Sequence, residues 1–209
     1  MKKTLLFGIL SAALVLFIVF NHFGEKSNIL AIGSKAPNID VEMIDISGKY
    51  LKLSQIKKEN GLLVIFSCNT CPFVIAWENR YPKIAALCKK NNIGMVAVNS
   101  NAAKRDGDDS FEEMKKHAKE KNYTFNYVVD KNSELAIAFG ANRTPQVFLF
   151  NKDVKLVYTG AIDDNLKDAE NVEKPYLMNA IDNLILNKKI KPSTTKALGC
   201  SIKKVKVEK

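Results

Sequence analysis

Apolar residues along this 209-residue chain gather in blocks of two kinds. GLLVIFS (61–67) and IGMVAVNS (93–100) are continuous in apolar or small residues, the pattern of strands buried on both faces. FNYVVD (125–130) is a shorter run of this kind, and QVFLFN and KLVYTG are two more, joined by a turn at Lys152-Asp153. Between the strands the spacing becomes helical. A helix is predicted from about Asn69 to Lys90, with Ile75, Ala76, Trp77, Ile84, Leu87 and Cys88 among its apolar positions. Ser110 and Glu113 form a capping-box pair at the head of a helix reaching about Lys121. SELAIAFG (133–140) is a short helix stopped by Gly140, and a last helix runs from about Val172 to Asn187. Alternation around Ser47-Gly48, within Ala36–Ile56, signals a hairpin. Strands alternating with helices, then a closing hairpin and helix, predict an α/β fold whose central mixed sheet is flanked by helices.

The first residues stand apart from that core. Lys2 and Lys3 precede an uncharged, almost wholly apolar run from Thr4 to Phe20. As a helix it would reach roughly 26 Å, close to a hydrocarbon core of about 30 Å. Basic residues stay on the cytoplasmic side, so the remainder is expected outside the cytoplasm. Where a cleavable signal wants small residues, the chain reads FNHF, which is bulky. Residues 1–23 are therefore read as a membrane anchor, with a cleaved signal as the alternative. A linker follows at 24–34, then a domain at 35–187 and a basic tail at 188–209. The expected location is the bacterial cell membrane, with the domain on the extracytoplasmic side, or else secretion to the periplasm.

The net charge of +10 changes this picture little. The tail from Lys188 to Lys209 carries eight lysines against one glutamate, and Lys2 and Lys3 add two more, so the body is nearly neutral. A solvated tail, or one touching anionic lipid beside the anchor, fits this distribution. Nucleic acid is not an expected partner.

Candidate chemistry lies in IFSCNTCPFV (65–74), where Cys68 and Cys71 stand two residues apart at the end of a predicted strand. Ligand chemistry in α/β folds sits at the carboxyl ends of strands. A helix N-terminus offers unpaired N–H groups and a positive dipole end, and both favour a thiolate. If the helix opens at the pair, Cys68 is the exposed nucleophile and Cys71 the thiol that resolves its disulfides. A disulfide closing so short a loop would be a poor structural staple. A zinc site needs four ligands, and His22 and His117 are the only histidines. No metal and no cofactor is expected, although copper binding by the pair remains an alternative. Cys88 reads as a buried, inert residue, and His117 as a surface one in EEMKKHAKE.

These residues carry a resemblance. Five pieces, IGSKAPNIDVEMIDISGKYLKLSQI, LLVIFSCNTCPFV, VAVNSN, AFGANRTPQVFLFNKDVKLVYTGAID and ALGCSIK, resemble the thioredoxin-fold superfamily over about residues 30–203. The similarity is to the redoxin branch with alkyl hydroperoxide reductases and thiol-specific antioxidant proteins, in a subgroup with a C-x-x-C pair. It implies a thioredoxin-like fold, a cis peptide at Thr144-Pro145 facing the cysteines, and exchange with a protein thiol or disulfide partner and an electron-donor thiol protein.

Two departures bear on activity. Peroxiredoxins carry a Thr or Ser three residues before the peroxidatic cysteine; aligned on Cys71-Pro72, that place holds Cys68. Thioredoxins carry a buried acid on the strand before the pair, and GLLVIFS has none. Glu78 is the candidate proton acceptor for Cys71, and Arg143 a candidate anion-binding group. The leading reading is a thiol–disulfide oxidoreductase; a thiol-dependent peroxidase and a non-enzymatic copper-binding module are the alternatives. Cys200 has three readings: a stray surface thiol, a link between two chains, or an auxiliary resolving thiol. The alternating segment SIKKVKV favours the third, with the tail docked near the pair.

Overall fold

The computed structural model describes residues 29–205. The expected hairpin is present in shortened form: β1 (Met43–Ile44) and β2 (Tyr50–Leu51) pair antiparallel around Ser47-Gly48, where Gly48 takes a φ of +82°. One helical turn, α1 (Leu53–Ile56), leads into β3 (Gly61–Ser67). The chain continues through α2 (Pro72–Trp77), a 3-10 turn at Glu78–Arg80, α3 (Tyr81–Lys90), β4 (Ile93–Asn99), α4 (Phe111–Glu120), β5 (Asn126–Val129) and α5 (Glu134–Phe139). It closes with β6 (Arg143–Thr144), β7 (Gln146–Asn151), β8 (Leu156–Gly160), α6 (Tyr176–Ile185) and β9 (Cys200–Ser201).

The central sheet has the order β5-β4-β3-β7-β8. β3, β4 and β5 run parallel, each reached through a helix, and β7 is antiparallel to both β3 and β8. The sheet is therefore mixed, as the alternation of elements predicts. All seven residues of β3 are buried, which its continuous apolar run requires. Leu62, Val64 and Phe66 face one core with Leu135, Ala136 and Phe139 of α5. Leu63 and Ile65 face the other, with Trp77, Tyr81 and Ile84 on one helix pair and Leu177 and Ile181 of α6. Strand β3 is thus held from both sides and from both neighbours, so its carboxyl end is a rigid mount.

Three boundaries differ from expectation, each through a proline. The helix expected over 69–90 begins only at Pro72, because a residue preceding proline is pushed out of the helical region; Cys71 has φ −69° and ψ 123°. That helix is also broken into α2 and α3. Pro82 lies in the first turn of α3, where proline is tolerated; in a helix running unbroken from α2 its ring would clash with the carbonyl four residues back and its missing N–H would remove a bond. The last helix starts at Tyr176 instead of 172, with Pro175 at its N-cap.

The tail is not wholly free. Thr195 N–H donates to the Thr159 carbonyl at 3.0 Å, and β9 pairs antiparallel with β6. The segment 1–23, read as an anchor or signal helix, lies outside the described residues. Among the described residues no helix is long and apolar enough to cross a membrane.

Candidate active site

Two thiols close the carboxyl end of β3. Cys68 follows the strand directly and is 2% exposed; Cys71 is 5% exposed. Because Pro72 opens α2, Cys71 and not Cys68 is the N-cap residue, and its carbonyl accepts the first helical bond from Ile75 N–H at 3.0 Å. Its sulfur therefore meets the free amide of Val74 and the positive end of the helix. The expected placement of Cys68 at the helix tip does not occur.

The acidities separate accordingly. The Cys68 thiol leaning on the Cys71 sulfur lowers the Cys71 pKa to about 4; burial opposes this, and the Cys200 thiol with the amides of Val74 and Cys200 assists it. The Cys68 pKa is raised, first because its proton is held against Cys71, then by burial, with the negative Asp109 adding to it. The Thr144 hydroxyl works the other way on Cys68, at 3.4 Å from its sulfur. In its thiol form Cys71 donates to the Thr144 carbonyl at 3.1 Å. That contact favours the protonated form, but more donors converge on the ionised sulfur, and the downward direction prevails.

Thr144 and Pro145 are both buried beside the sulfurs, and the bond between them is cis. Arg143 is exposed; its guanidinium donates to the carbonyl of Gly199, the residue before Cys200, at 3.3 Å, and it does not line the cleft at the cysteines. Cys200, opposite Thr144 in the β6–β9 pair, packs against Cys68, Cys71 and Val74. A cleft of about 140 Å³ joins Cys68, Cys71, Thr144, Asn101, Asp109 and Cys200.

Glu78 is not brought to the sulfurs. It is buried in the 3-10 turn, where Oε2 meets His117 Nε2 at 2.8 Å and Oε1 meets Lys121 Nζ at 2.6 Å. Burial works to raise its pKa, but His117 and Lys121 outweigh it and hold the carboxyl below the usual range. His117 is accordingly half-buried against α2–α3, not the surface residue expected. Cys88 is buried on α3, and burial pushes its thiol up to about 12.

Sequence reasoning missed Asp109. Its carboxylate accepts from Asn69 N–H at 2.9 Å, Asn99 Nδ2 at 2.8 Å and Asn101 Nδ2 at 2.9 Å, so it fixes the loop after Cys68 to the loop after β4. Nothing local distinguishes it from Asp106 or Asp108 in RDGDDS. Among the described residues no group of three or more His, Cys, Asp or Glu is placed to hold a metal ion.

A mixed sheet with a thiol pair at the end of its central strand, set against a cis-proline strand, defines a thioredoxin-fold protein. The chain belongs to the redoxin family, whose model matches residues 31–174. It is 28% identical over 165 residues to the thiol-disulfide oxidoreductase ResA of Geobacillus thermodenitrificans, covering 77% of this chain and 87% of that one. An uncharacterised conserved protein of Geobacillus kaustophilus matches in structure with a TM-score of 0.79 and 30% identity, covering 87% of this chain and 96% of the other. A hypothetical protein of Sinorhizobium meliloti matches with a TM-score of 0.77 and 30% identity, covering 85% and 97%. The chain is an enzyme of the oxidoreductase class.

Proposed function

We propose that the protein is an extracytoplasmic thiol–disulfide oxidoreductase, held at the membrane by residues 1–23, in which Cys71 is the attacking thiolate and Cys68 the resolving thiol. What supports this reading is the capping position of Cys71 with the Cys68 thiol against it, in the acidity order thiolate then thiol. The Cys71 thiolate attacks one sulfur of a partner disulfide, and the other partner sulfur leaves as a thiolate. Cys68 loses its proton and attacks the Cys71 sulfur, forming the Cys68–Cys71 disulfide and releasing the partner's second thiolate. The partner is reduced by two electrons and the pair oxidised by two; an electron-donor thiol protein reverses the change on the enzyme. Thr144 and Pro145 flank the two sulfurs and hold them in place, and the exposed Arg143 is available to the partner's polar groups.

The test is trapping. In a Cys68→Ser, Cys200→Ser double variant only Cys71 remains at the site, and it is expected to accumulate mixed disulfides with cellular proteins. A Cys71→Ser, Cys200→Ser variant is expected to trap none. The reverse outcome would make Cys68 the nucleophile, as the sequence pattern suggests, and the absence of any adduct in both would remove the exchange reading.

A second reading, a thiol peroxidase using Cys71, is favoured by the same low pKa and by Cys71-Pro72. The hydroxyl that would orient a peroxide is absent from its place, and the Thr144 hydroxyl faces Cys68 instead. Peroxide consumption with a dithiol donor, at a rate matching disulfide reduction, would favour it.

A further inference from the structure

We propose that the C-terminal segment Gly199–Ile202 is a built-in partner strand, which fills the edge of β6 beside the cysteines and makes Cys200 a third redox-active thiol that exchanges with Cys71. The proposal rests on the reading of Cys68 and Cys71 as an exchanging pair.

The pairing itself is the first ground. β6 presents a strand edge next to both sulfurs, and an extended polypeptide docks on such an edge through main-chain hydrogen bonds. That edge is occupied: Thr144 stands opposite Cys200 and Arg143 opposite Ser201, antiparallel. The approach is so close that a Cβ on residue 199 would overlap the Thr144 carbonyl, so only glycine fits there.

The strap is also tied down on both sides. Before it, the Thr195 hydroxyl accepts from Ala161 N–H at 2.9 Å. After it, Ile202 is 7% exposed and joins the apolar core with Phe66 and Phe139. Lys203 N–H donates to Asn101 Oδ1 at 2.9 Å, and its carbonyl accepts from Ala103 N–H at 2.9 Å. Such anchoring is not the behaviour of a solvated tail.

Access is the third ground. With the strap in place Cys68 and Cys71 are nearly sealed, whereas Cys200 is partly exposed while touching them. A partner finds no free edge at Thr144, but it finds a thiol at Cys200. Exchange then proceeds without net redox change inside the chain. The Cys200 thiolate attacks the Cys71 sulfur of an oxidised Cys68–Cys71 pair; the Cys71–Cys200 bond forms, and Cys68 leaves and takes a proton. A thiol of the electron-donor protein then attacks the Cys200 sulfur, and Cys71 leaves as a thiolate. A second donor thiol attacks the mixed disulfide, freeing Cys200; the donor is oxidised by two electrons and the enzyme reduced by two. In reverse, an external disulfide is reduced through Cys200.

The test uses the full chain. A Cys68→Ser variant, reduced, oxidised with diamide and peptide-mapped without reductant, is expected to hold Cys71 and Cys200 joined within one chain. Both thiols left free, or joined only between chains, would overturn the proposal. In parallel, Gly199→Val in the otherwise unaltered protein is expected to dislodge the strap. Cys71 alkylation should then rise about tenfold or more, since local opening would no longer be required, with far-ultraviolet circular dichroism unchanged. Unchanged alkylation in a folded Gly199→Val protein would equally overturn it. Neither readout depends on trapping a partner. An intrachain Cys71–Cys200 bond with no trapped adduct would sink the proposed function alone, and trapped adducts without that bond would sink the strap alone.

Discussion

Cys68 packs against Cys71, and this contact is the largest of several influences that move the two acidities in opposite directions: Cys71 falls to about 4 while Cys68 rises. Pro72 adds to it, because it makes Cys71 the helix cap, where the Val74 amide also favours the ionised sulfur, and leaves Cys68 outside the helix. Alkylation of the reduced protein against pH should therefore show Cys71 reacting with a midpoint far below the free-thiol value of about 8.5. A midpoint near 8.5 for Cys71, with Cys68 the more acidic of the two, would reverse the assignment.

The same shift enters stability. The unfolded chain holds a proton on Cys71 below about pH 8.5, and the folded chain does not until about 4, so the reduced fold loses stability as pH falls through that window. Above about 8.5 the raised Cys68 turns the slope downward with rising pH, since the unfolded thiol ionises there and the folded one does not. Denaturant melts of reduced protein between pH 5 and 8 should show stability rising with pH, and Cys71→Ser should flatten that rise. An equal slope in the variant would contradict it.

Glu78 is a tie between the 3-10 turn and α4, not a proton acceptor for the sulfurs. Glu78→Ala removes a buried carboxylate from His117 and Lys121 and should cost about 3 kcal/mol in urea melts. Glu78→Gln should leave the disulfide-exchange rate within about twofold of wild type at a temperature where it is folded. Because the Glu78 pKa is held low, its contribution is present above the usual carboxylate range and is lost as pH falls below it. A large loss of exchange rate in folded Glu78→Gln would restore the catalytic role.

Thr144 should act on the resolving step. Its hydroxyl lowers the Cys68 pKa, and Thr144→Val keeps the shape while removing that hydrogen bond, worth about 1 kcal/mol. Release of a partner from the Cys71 mixed disulfide should slow about fivefold, with the first attack little changed. Equal slowing of both steps would mean that the substitution disturbs the site as a whole.

The proposed attachment through residues 1–23 makes a topological prediction. The mature protein should keep Met1 to Phe23 and remain with membranes after a high-salt wash. A mature N-terminus near Gly24 or Ser34 would show a cleaved signal instead.

Local order was legible in the residues. The continuous run GLLVIFS specifies a strand buried on two faces, because no polar position interrupts it and a one-sided strand would alternate. Ser110 caps α4 through Glu113 N–H at 3.3 Å, one half of the expected capping box, while Ser110 N–H donates to the Gly107 carbonyl and not to the Glu113 side chain. Pro72, Pro82 and Pro175 carry the helix limits in their own geometry, and Pro72 sets Cys71 at the cap of α2. These are constraints on φ, ψ and side-chain period that act over a few residues.

What no window of sequence contains is the meeting of distant segments. Asp109 reaches Asn69 across 40 residues, and His117 reaches Glu78 across 39. Cys200 stands opposite Thr144 only because β6 leaves an edge open, Gly199 lets the backbones approach, and Ile202 finds a place in the core. The chain by itself determined where a thiol pair would stand and which strand would carry it. Tertiary packing decided how the two thiols differ in acidity, that Asp109 lines their cleft, and that Cys200 packs against them, because desolvation and hydrogen bonding are set by whatever else is folded against a group.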